Sequence, residues 1–370
     1  MICNTQMFTT TRLAANQSLR RYKVQDLIIH MHEHCLAGRP VHIGQAIFAT
    51  IFNLISNTIF SIDLVDPDSD SAQEFKDVVW EIMKESGRTN LGDYFSVLRL
   101  IDIQGIRRRT TGCYKKLYRI FDEMIAQRTL SRSTLSDSPR RNDFLDVLLD
   151  QKDKNDFEFS YDNIKAVLAD LFIAGSETSS TTVEWAMAEF LRNPDCMAKA
   201  RMELTETISS GQQVEESDID CLPYLQAIVK ETLRLHPPIP FIFRKTIMDV
   251  EISGFAIPKN TCVPVNVWAI GRDPDVWADL LSFLPQRFLG SDIDFKGQDF
   301  ELISFGSGRR ICPGLPLAFR MVHLMLASLL HSFDWKLPNG MMPYDMDMSS
   351  KFGLTLQLAA PLCAIPMLDG

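Results

Sequence analysis

Helical periodicity dominates this 370-residue chain up to about residue 235. Apolar residues recur there at spacings of three and four, the pattern of helices that bury one face. A chain with this pattern over so much of its length packs helix against helix. Polar breaks separate the helices at 66–71, 128–141 and 211–220. The Ser- and Arg-rich stretch 129–139 is the best candidate for a mobile surface linker.

Strand signals come late in the chain. β-Branched residues interrupted by Gly254, Pro258 and Asn260 predict short strands and turns over 249–267. A long helix is predicted at about 315–333, and LTLQL, Leu354 to Leu358, alternates as a strand does. The whole pattern therefore predicts a mainly α protein with a minor β part.

Composition argues against several classes of protein. With 46% hydrophobic residues the chain is an ordinary globular protein, and its net charge of −9 argues against a nucleic-acid partner. The short basic run 106–109 is interpreted as a solvated face. Eight scattered cysteines without CxxC pairs indicate reduced thiols facing the cytosol. Since neither 18 consecutive apolar residues nor a signal-peptide layout is present, we expect no membrane span and no secretion.

The helix predicted from Ser160 to Arg192 has an unusual polar centre. Ser160 is a candidate N-cap, and an apolar stripe follows it. Residues 175–182, GSETSSTT, then place poor or polar helix formers, Glu177 excepted, inside the helix. Two interpretations stay open. The hydroxyls open the helix to water or a ligand at a functional site, or the small residues make a close contact with another helix.

Two other groups of residues are weaker indications. Glu231 and Arg234 lie three apart on a helix that ends at Pro237, and such pairs are mostly superficial. His30 and His34 share a helical face, but no second pair of ligands follows at a suitable spacing. Taken alone, the first pair predicts a surface contact, and the second argues against zinc.

Cys312 differs from the other seven cysteines because of its surroundings. Three glycines in FGSGRRICPG, residues 305–314, let the backbone approach a flat ligand closely. Arg309 and Arg310 supply positive charge, and the helix after Pro313 directs its N-terminus at the sulfur. These features favour a thiolate, which is a suitable axial ligand for haem iron.

Four motifs, in order along the chain, resemble those of the cytochrome P450 family, the haem-thiolate monooxygenases. AGSET, residues 174–178, is similar to the oxygen-activating motif of that family's central helix. Residues 231–234 resemble E-x-x-R, and 285–288, PQRF, resemble P-E-R-F with Gln286 in place of the glutamate. Residues 305–314 fit F-x-x-G-x-R-x-C-x-G at every fixed position. The resemblance covers essentially the whole chain.

The resemblance implies a role for each motif residue. Cys312 would be the axial ligand of the haem iron, while Glu177 and Thr178 would relay protons through water during oxygen activation. Other residues implied in haem binding, through the propionates, the thiolate or close backbone approach, are Arg310, Arg244, Phe305, Gly306 and Gly314. A buried structural network under the cysteine would consist of Glu231, Arg234 and Arg287. Substrate would contact Leu171, Ala174, Ile239, Phe241 and Leu354.

The implied fold is that of a cytochrome P450, as one catalytic domain over 1–370. It would be mostly helical over 1–240, with short strands at about 244–267, the cysteine loop and its helix at 305–333, and strands at about 334–370. Met1 corresponds to the interior of the family's helix C. The resemblance therefore predicts an incomplete domain that lacks the N-terminal anchor, first helices and strands. The family works at the cytosolic face of the endoplasmic reticulum membrane, and a chain without the anchor is expected to be soluble.

The implied chemistry needs haem b and electrons from NADPH, delivered by NADPH–cytochrome P450 reductase. Sequence stretches such as NVWAIGRDP resemble those of the plant branch that contains geraniol hydroxylases and other terpenoid hydroxylases. That branch implies insertion of one oxygen atom from O₂ into a C–H bond of a small lipophilic, monoterpenoid-like substrate. Two alternatives stay open: a truncated, non-catalytic fragment with impaired haem binding, and a haem protein that isomerises or dehydrates without O₂. The intact Glu177/Thr178 pair counts against the second of these.

Overall fold

The computed structural model describes residues 2–66, 70–95, 97–98, 101–134, 143–154, 159–209, 211–351 and 353–368. The helices within these ranges are α1 Ile2–Gln6, α2 Thr10–Ala15, α3 Gln17–Leu36, α4 Ile43–Phe60, α5 Asp70–Ser86, α6 Leu91–Tyr94, α7 Ile106–Thr134, α8 Phe144–Lys154, α9 Tyr161–Arg192, α10 Pro194–Thr207, α11 Pro223–Leu235, α12 Val267–Ile270 and α13 Leu315–Ser332. The strands are β1 Val41–His42, β2 Phe241–Lys245, β3 Val250–Ile252, β4 Phe255–Ile257, β5 Cys262–Asn266, β6 Asp334–Lys336, β7 Ser350–Lys351, β8 Gln357–Leu358 and β9 Cys363–Met367. The predicted fold class, mainly α with a minor β part, is confirmed.

The strands form small antiparallel sheets. One has the order β1-β9-β6, with Val41 opposite Ala364, and the others pair β2 with β5, β3 with β4 and β7 with β8. The predicted strand over 354–358 is wrong for its first three residues, because only β8 is a strand there. The backbone N–H groups of Leu354 and Leu356 donate instead to the carbonyls of Met83 and Pro238.

Helix α9 lies in the core, packed against α4, α5, α7, α11 and α13. Its start is confirmed by Ser160, whose side-chain oxygen accepts a hydrogen bond from the Asn163 N–H at 3.3 Å. Phe172 on α9 is fully buried between the rings of Phe52 and Phe121, with centroids 4.8 and 5.5 Å away. Because α9 contacts so many helices, side chains along it have fixed positions relative to the rest of the core.

Helix α7 is longer than the sequence pattern predicts. It continues to Thr134, so the first part of the stretch predicted as a linker is helical, and 135–139 lies outside the described residues. Arg128 on α7 binds Asp143 at 2.7 Å and Asp146 at 3.0 Å, which fixes the end of α7 to the start of α8. These half-buried and buried ion pairs outweigh the weak helix propensity of the Ser-rich sequence.

Two helices are long and apolar enough to cross a membrane by composition. They are α4 and α13, with mean hydropathies of 1.4 and 1.3, and 83% and 56% of their residues are buried inside the protein. Core helices pass the same test, so composition is weak evidence for a membrane span in the described part of the chain.

A buried ion-pair network joins α11 to residues between 271 and 287. These residues precede the cysteine loop, which is the segment 305–314. Arg234 donates to both carboxylate oxygens of Glu231, from Nε at 2.7 Å and from Nη2 at 2.8 Å, and neither side chain is exposed. Arg234 also donates to the carbonyls of Gly271, Leu280 and Ser282. The interpretation of this pair as superficial, drawn from the residues alone, is therefore wrong.

Arg287 adds a third charge to the network. Its Nε donates to Glu231 Oε1 at 3.1 Å, and the Leu284 N–H donates to the same oxygen at 2.8 Å. Trp277 lies beside both guanidinium groups, 5.4 Å from Arg234 and 5.9 Å from Arg287. The two arginines and one glutamate are thus enclosed together, with the buried charges matched by donors and acceptors.

We predict that Arg234→Met destabilises the protein by about 3–5 kcal/mol, because it leaves the Glu231 carboxylate buried without its main partner. Arg287→Met is the matched control. It removes one hydrogen bond to Glu231 Oε1 from a side chain that is itself 13% exposed and leaves both bonds from Arg234, so it should cost clearly less. Urea unfolding followed by circular dichroism measures both. Equal losses for the two variants would contradict this account of the network.

Candidate functional site

The cysteine loop is a closed turn that presents Cys312 at the start of α13. The Cys312 N–H donates to the Phe305 carbonyl at 2.9 Å, and the Ile311 N–H donates to the Gly308 carbonyl at 3.1 Å. Gly306 and Gly308 have φ values of +73° and +66°, a left-handed conformation that side chains rarely adopt. The glycines therefore determine how the chain turns back to place the sulfur.

The sulfur of Cys312 lies at the N-terminus of α13, 3.8 Å from where a Cβ on Gly314 would be. Burial raises the pKa of the thiol above its ordinary value, and the backbone N–H groups of Gly314 and Leu315 lower it in part. Arg309 and Arg310 are exposed and are not among the groups that shift this pKa. Their effect on the thiolate stays a prediction, and a positive charge placed at the sulfur itself would favour the thiolate more directly.

A cleft separates the cysteine loop from α9. Its lining includes Thr178 and Thr182 on one side and Phe305 and Ala318 on the other. Along α9, Leu171 and Thr178 are half-buried and Ala174 is exposed, whereas most residues of the C-terminal half of the helix are buried. These residues lie three, four and seven positions apart, so they form one open stripe on the side that faces the cleft.

The polar centre of α9 does not interrupt the helix. The hydroxyls of Ser176, Thr178 and Thr182 donate to carbonyls one turn back, with Thr178 2.6 Å from the Ala174 oxygen. An opened helix is therefore not present here. The packing interpretation holds at Gly175, where a Cβ would lie 2.9 Å from Ile55 Cδ1 on α4.

Glu177 faces away from this open stripe and is fully buried. Its Oε1 accepts hydrogen bonds from the Gln357 amide and from Thr181 Oγ1, and its Oε2 has no partner among the described residues. Burial raises the pKa of the carboxyl above its ordinary value. Sequence reasoning missed Gln357, whose only signal was its place among the polar positions of the alternating stretch LTLQL.

Two arginines lie near the loop without a carboxylate. Arg244 on β2 is exposed, its Nη2 lies 3.6 Å from where a Cβ on Gly306 would be, and its one recorded side-chain hydrogen bond goes to the Phe243 carbonyl. Arg310 is exposed as well. Neither forms an ion pair within the described ranges, in contrast to Arg234 and Arg287. Both are therefore available to an anionic ligand.

The predicted substrate-lining residues lie in two environments. Ile239 and Phe241 are half-buried and follow Pro238, which lines the cleft. Leu354 is half-buried, and its N–H donates to the carbonyl of Met83 on α5.

Gln286, the departure from P-E-R-F, is exposed, and Arg287 beside it still donates to Glu231.

These observations fit a flat, mostly apolar group with acidic edges. An uncovered stripe on α9 faces a half-buried Phe305, whose ring is tilted against that of Phe295 with centroids 5.5 Å apart. Cys312 belongs to the same loop as Phe305, which lines the cleft, and arginines without a carboxylate partner in the described ranges lie near that loop. Haem has this combination of an apolar ring, two propionates and an iron that binds thiolate, so the residues present fit it.

Comparisons with known proteins agree with this geometry. The sequence model of the family described as Cytochrome P450 matches residues 2–361. The chain is 51% identical over 366 residues to geraniol 8-hydroxylase of Catharanthus roseus, covering 99% of this chain and 74% of that protein. It is 50% identical over 368 residues to 7-ethoxycoumarin O-deethylase of Helianthus tuberosus, covering 99% and 74%. For drimenol monooxygenase of Persicaria hydropiper the identity is 49% over 366 residues, covering 99% and 72%. The chain thus belongs to the cytochrome P450 family of haem-dependent monooxygenases.

Proposed function

We propose that this protein binds haem b through Cys312 and inserts one oxygen atom from O₂ into a C–H bond of a small lipophilic, terpenoid-like substrate. The observation that carries the proposal is the cysteine loop, which places Cys312 directly before α13, while Phe305 of the same loop lines a cleft opposite Thr178. Bound haem supplies the oxygen activation that no amino-acid side chain can perform.

The chain's own residues would hold the haem by three kinds of contact. Cys312 would bind the iron, and the N–H groups of Gly314 and Leu315 would limit the electron donation of its sulfur. Gly306 and Gly314 would allow the ring to lie close to the backbone. Arg244 and Arg310 would pair with the propionates, and Phe305 would pack beside the sulfur.

Thr178 and Glu177 would hold and move protons on the other side of the cleft. The Thr178 hydroxyl donates to the Ala174 carbonyl, so its oxygen can accept a hydrogen bond from water in the cleft. Burial raises the pKa of Glu177, which brings it closer to neutral pH, where an acid exchanges protons most effectively. The two groups are neighbours on α9, one buried and one on the open stripe, and we place the proton relay between them.

The substrate class follows from the relatives and from the lining. Names of relatives include geraniol, drimenol and 7-ethoxycoumarin, all small and lipophilic. Leu171, Ala174, Ile239, Phe241 and Leu354 supply apolar contacts to such a molecule. Electrons would come from NADPH through a reductase on the cysteine side. Free thiols at all eight cysteines suit the cytosolic face of the endoplasmic reticulum, where we place the protein.

We predict that the reduced protein with carbon monoxide has the red-shifted Soret band typical of a thiolate ligand, and that Cys312→Ala abolishes this band. Cys221→Ala is the matched control, because Cys221 is exposed and lies outside the cysteine loop. Difference spectra of the three proteins decide the question. No haem in the wild-type protein would favour the non-catalytic fragment, and a band that survives Cys312→Ala would contradict the ligand assignment.

We predict that Arg310→Leu and Arg244→Leu each speed haem loss about tenfold, because each removes a charge-assisted hydrogen bond to a propionate. Arg309→Leu, an exposed neighbour in the same loop, should leave the rate unchanged. Transfer of haem to apomyoglobin measures the rates. If Arg309→Leu speeds haem loss as much as the other two variants, the arginines act through the net positive charge of the loop and not through hydrogen bonds to the propionates.

A further inference from the structure

The segment 355–358 lies beside α9, and two consecutive residues, Leu356 and Gln357, make polar contacts with that helix. The indole N–H of Trp185 donates to the Leu356 carbonyl at 3.1 Å, and the Leu356 N–H donates to the Pro238 carbonyl at 3.0 Å. The Gln357 side-chain amide then donates to Oε1 of Glu177. Since Trp185 and Glu177 are buried on the same helix, Gln357 cannot shift along α9 without breaking these bonds.

The two oxygens of Glu177 have different surroundings. Oε1 accepts from Gln357 Nε2 and, at 3.4 Å, from Thr181 Oγ1, so both of its lone pairs are directed at donors. Oε2 is buried and has no partner in the described part of the chain, and neither has the hydroxyl of Thr355. A proton on this carboxyl therefore binds at Oε2.

Charges around Glu177 act in both directions. Glu184, also on α9, raises its pKa together with burial, which is the largest cause. Gln357, Lys76 on α5 and Thr181 lower it, and the Gln357 hydrogen bond is the largest of these. Gln357 is thus the main group that opposes the effect of burial on this carboxyl.

We propose that Gln357 is the positioning residue of the proton relay: it holds Oε1 of Glu177 so that Oε2 takes up and releases the proton. The inference rests on the proposed role of Glu177. A hydronium ion gives up the proton: one of its O–H bonds breaks as the O–H bond at Oε2 forms, and water is left. The new bond breaks when the proton passes to water beside Thr178, which becomes hydronium, so the carboxylate is regenerated and no electrons are transferred.

The first experiment uses stability, which does not depend on catalysis. Because the folded pKa of Glu177 is raised, its contribution to stability is greatest below its pKa in the unfolded chain and is lost as pH rises through the folded pKa. We predict that Glu177→Gln removes this dependence, which begins near the ordinary pKa of glutamate and extends to higher pH. Gln357→Leu should extend the loss of stability to higher pH than in the wild-type protein, because it removes a hydrogen bond to the charged form.

Thr181→Val is the matched control for Gln357→Leu, since Thr181 contacts the same oxygen at the longer distance of 3.4 Å. It should shift the titration by less than half as much. If Gln357→Leu fails to fold, Gln357→Glu keeps the volume and donates to Oε1 only when protonated, so it should behave as wild type at low pH and repel Glu177 at high pH. A Gln357 variant that titrates as wild type, or an equal shift in Thr181→Val, overturns the proposal.

The second experiment measures turnover of the holoprotein with geraniol as the probe. We predict that Gln357→Leu lowers kcat about tenfold with KM within about twofold, and diverts NADPH electrons to peroxide. Glu177→Gln/Gln357→Leu should be no slower than Glu177→Gln alone, because both changes affect one relay. A titration shift without a change in kcat also overturns the proposal. If the wild-type protein turns over no substrate while Gln357→Leu still shows the titration shift, that result would contradict the proposed function and support the contact by which Gln357 positions Glu177.

Discussion

The ion pair between Glu231 and Arg234 is the interaction on which the rest of the site depends. Removing two charges from water costs several kcal/mol per ion, and only complete hydrogen bonding offsets that cost. Here the offset comes from carbonyls at 271, 280 and 282, from Arg287 and from the Leu284 N–H. The network therefore orders the segment 271–287 around α11. Ser304, next to the cysteine loop, donates to the Leu233 carbonyl at 3.0 Å, so the same helix also positions the loop.

Helix α9 meets a second constraint, because it is both a core helix and one wall of the cleft. Small residues allow its close approach to α4 at Gly175, and the hydroxyls of Ser176, Thr178 and Thr182 are satisfied by its own carbonyls. Polar side chains can therefore be buried without breaking the helix. The stripe that faces the cleft stays open, while the opposite side carries Glu177 into the core.

Local signals predicted the helices but not their partners. The Ser160 cap and the apolar stripe predict the start of α9, and two sequence motifs contain residues that line the cleft. Each of these signals lies within a short stretch of sequence. The burial of Glu231 and Arg234 could not be read from their spacing, since the groups that satisfy them lie up to 56 residues away. Gln357 and Glu177 are 180 residues apart, and a polar position in an alternating stretch gives no indication of which helix its side chain contacts.

The contact between α9 and the C-terminal segment contains two buried polar atoms that lower its stability. A buried carboxyl oxygen and a buried hydroxyl without partners, Glu177 Oε2 and Thr355 Oγ1, each lose hydrogen bonds that water gives them in the unfolded chain. Replacing Glu177 by an apolar residue would avoid that loss, and the fold already supplies the anchoring contact between Trp185 and Leu356. Buried polar atoms without hydrogen-bond partners, in a helix that is otherwise regular, are expected where a group must change its protonation state. An acid with one oxygen held and the other free satisfies that requirement, because the bound oxygen fixes its place while the free one exchanges the proton.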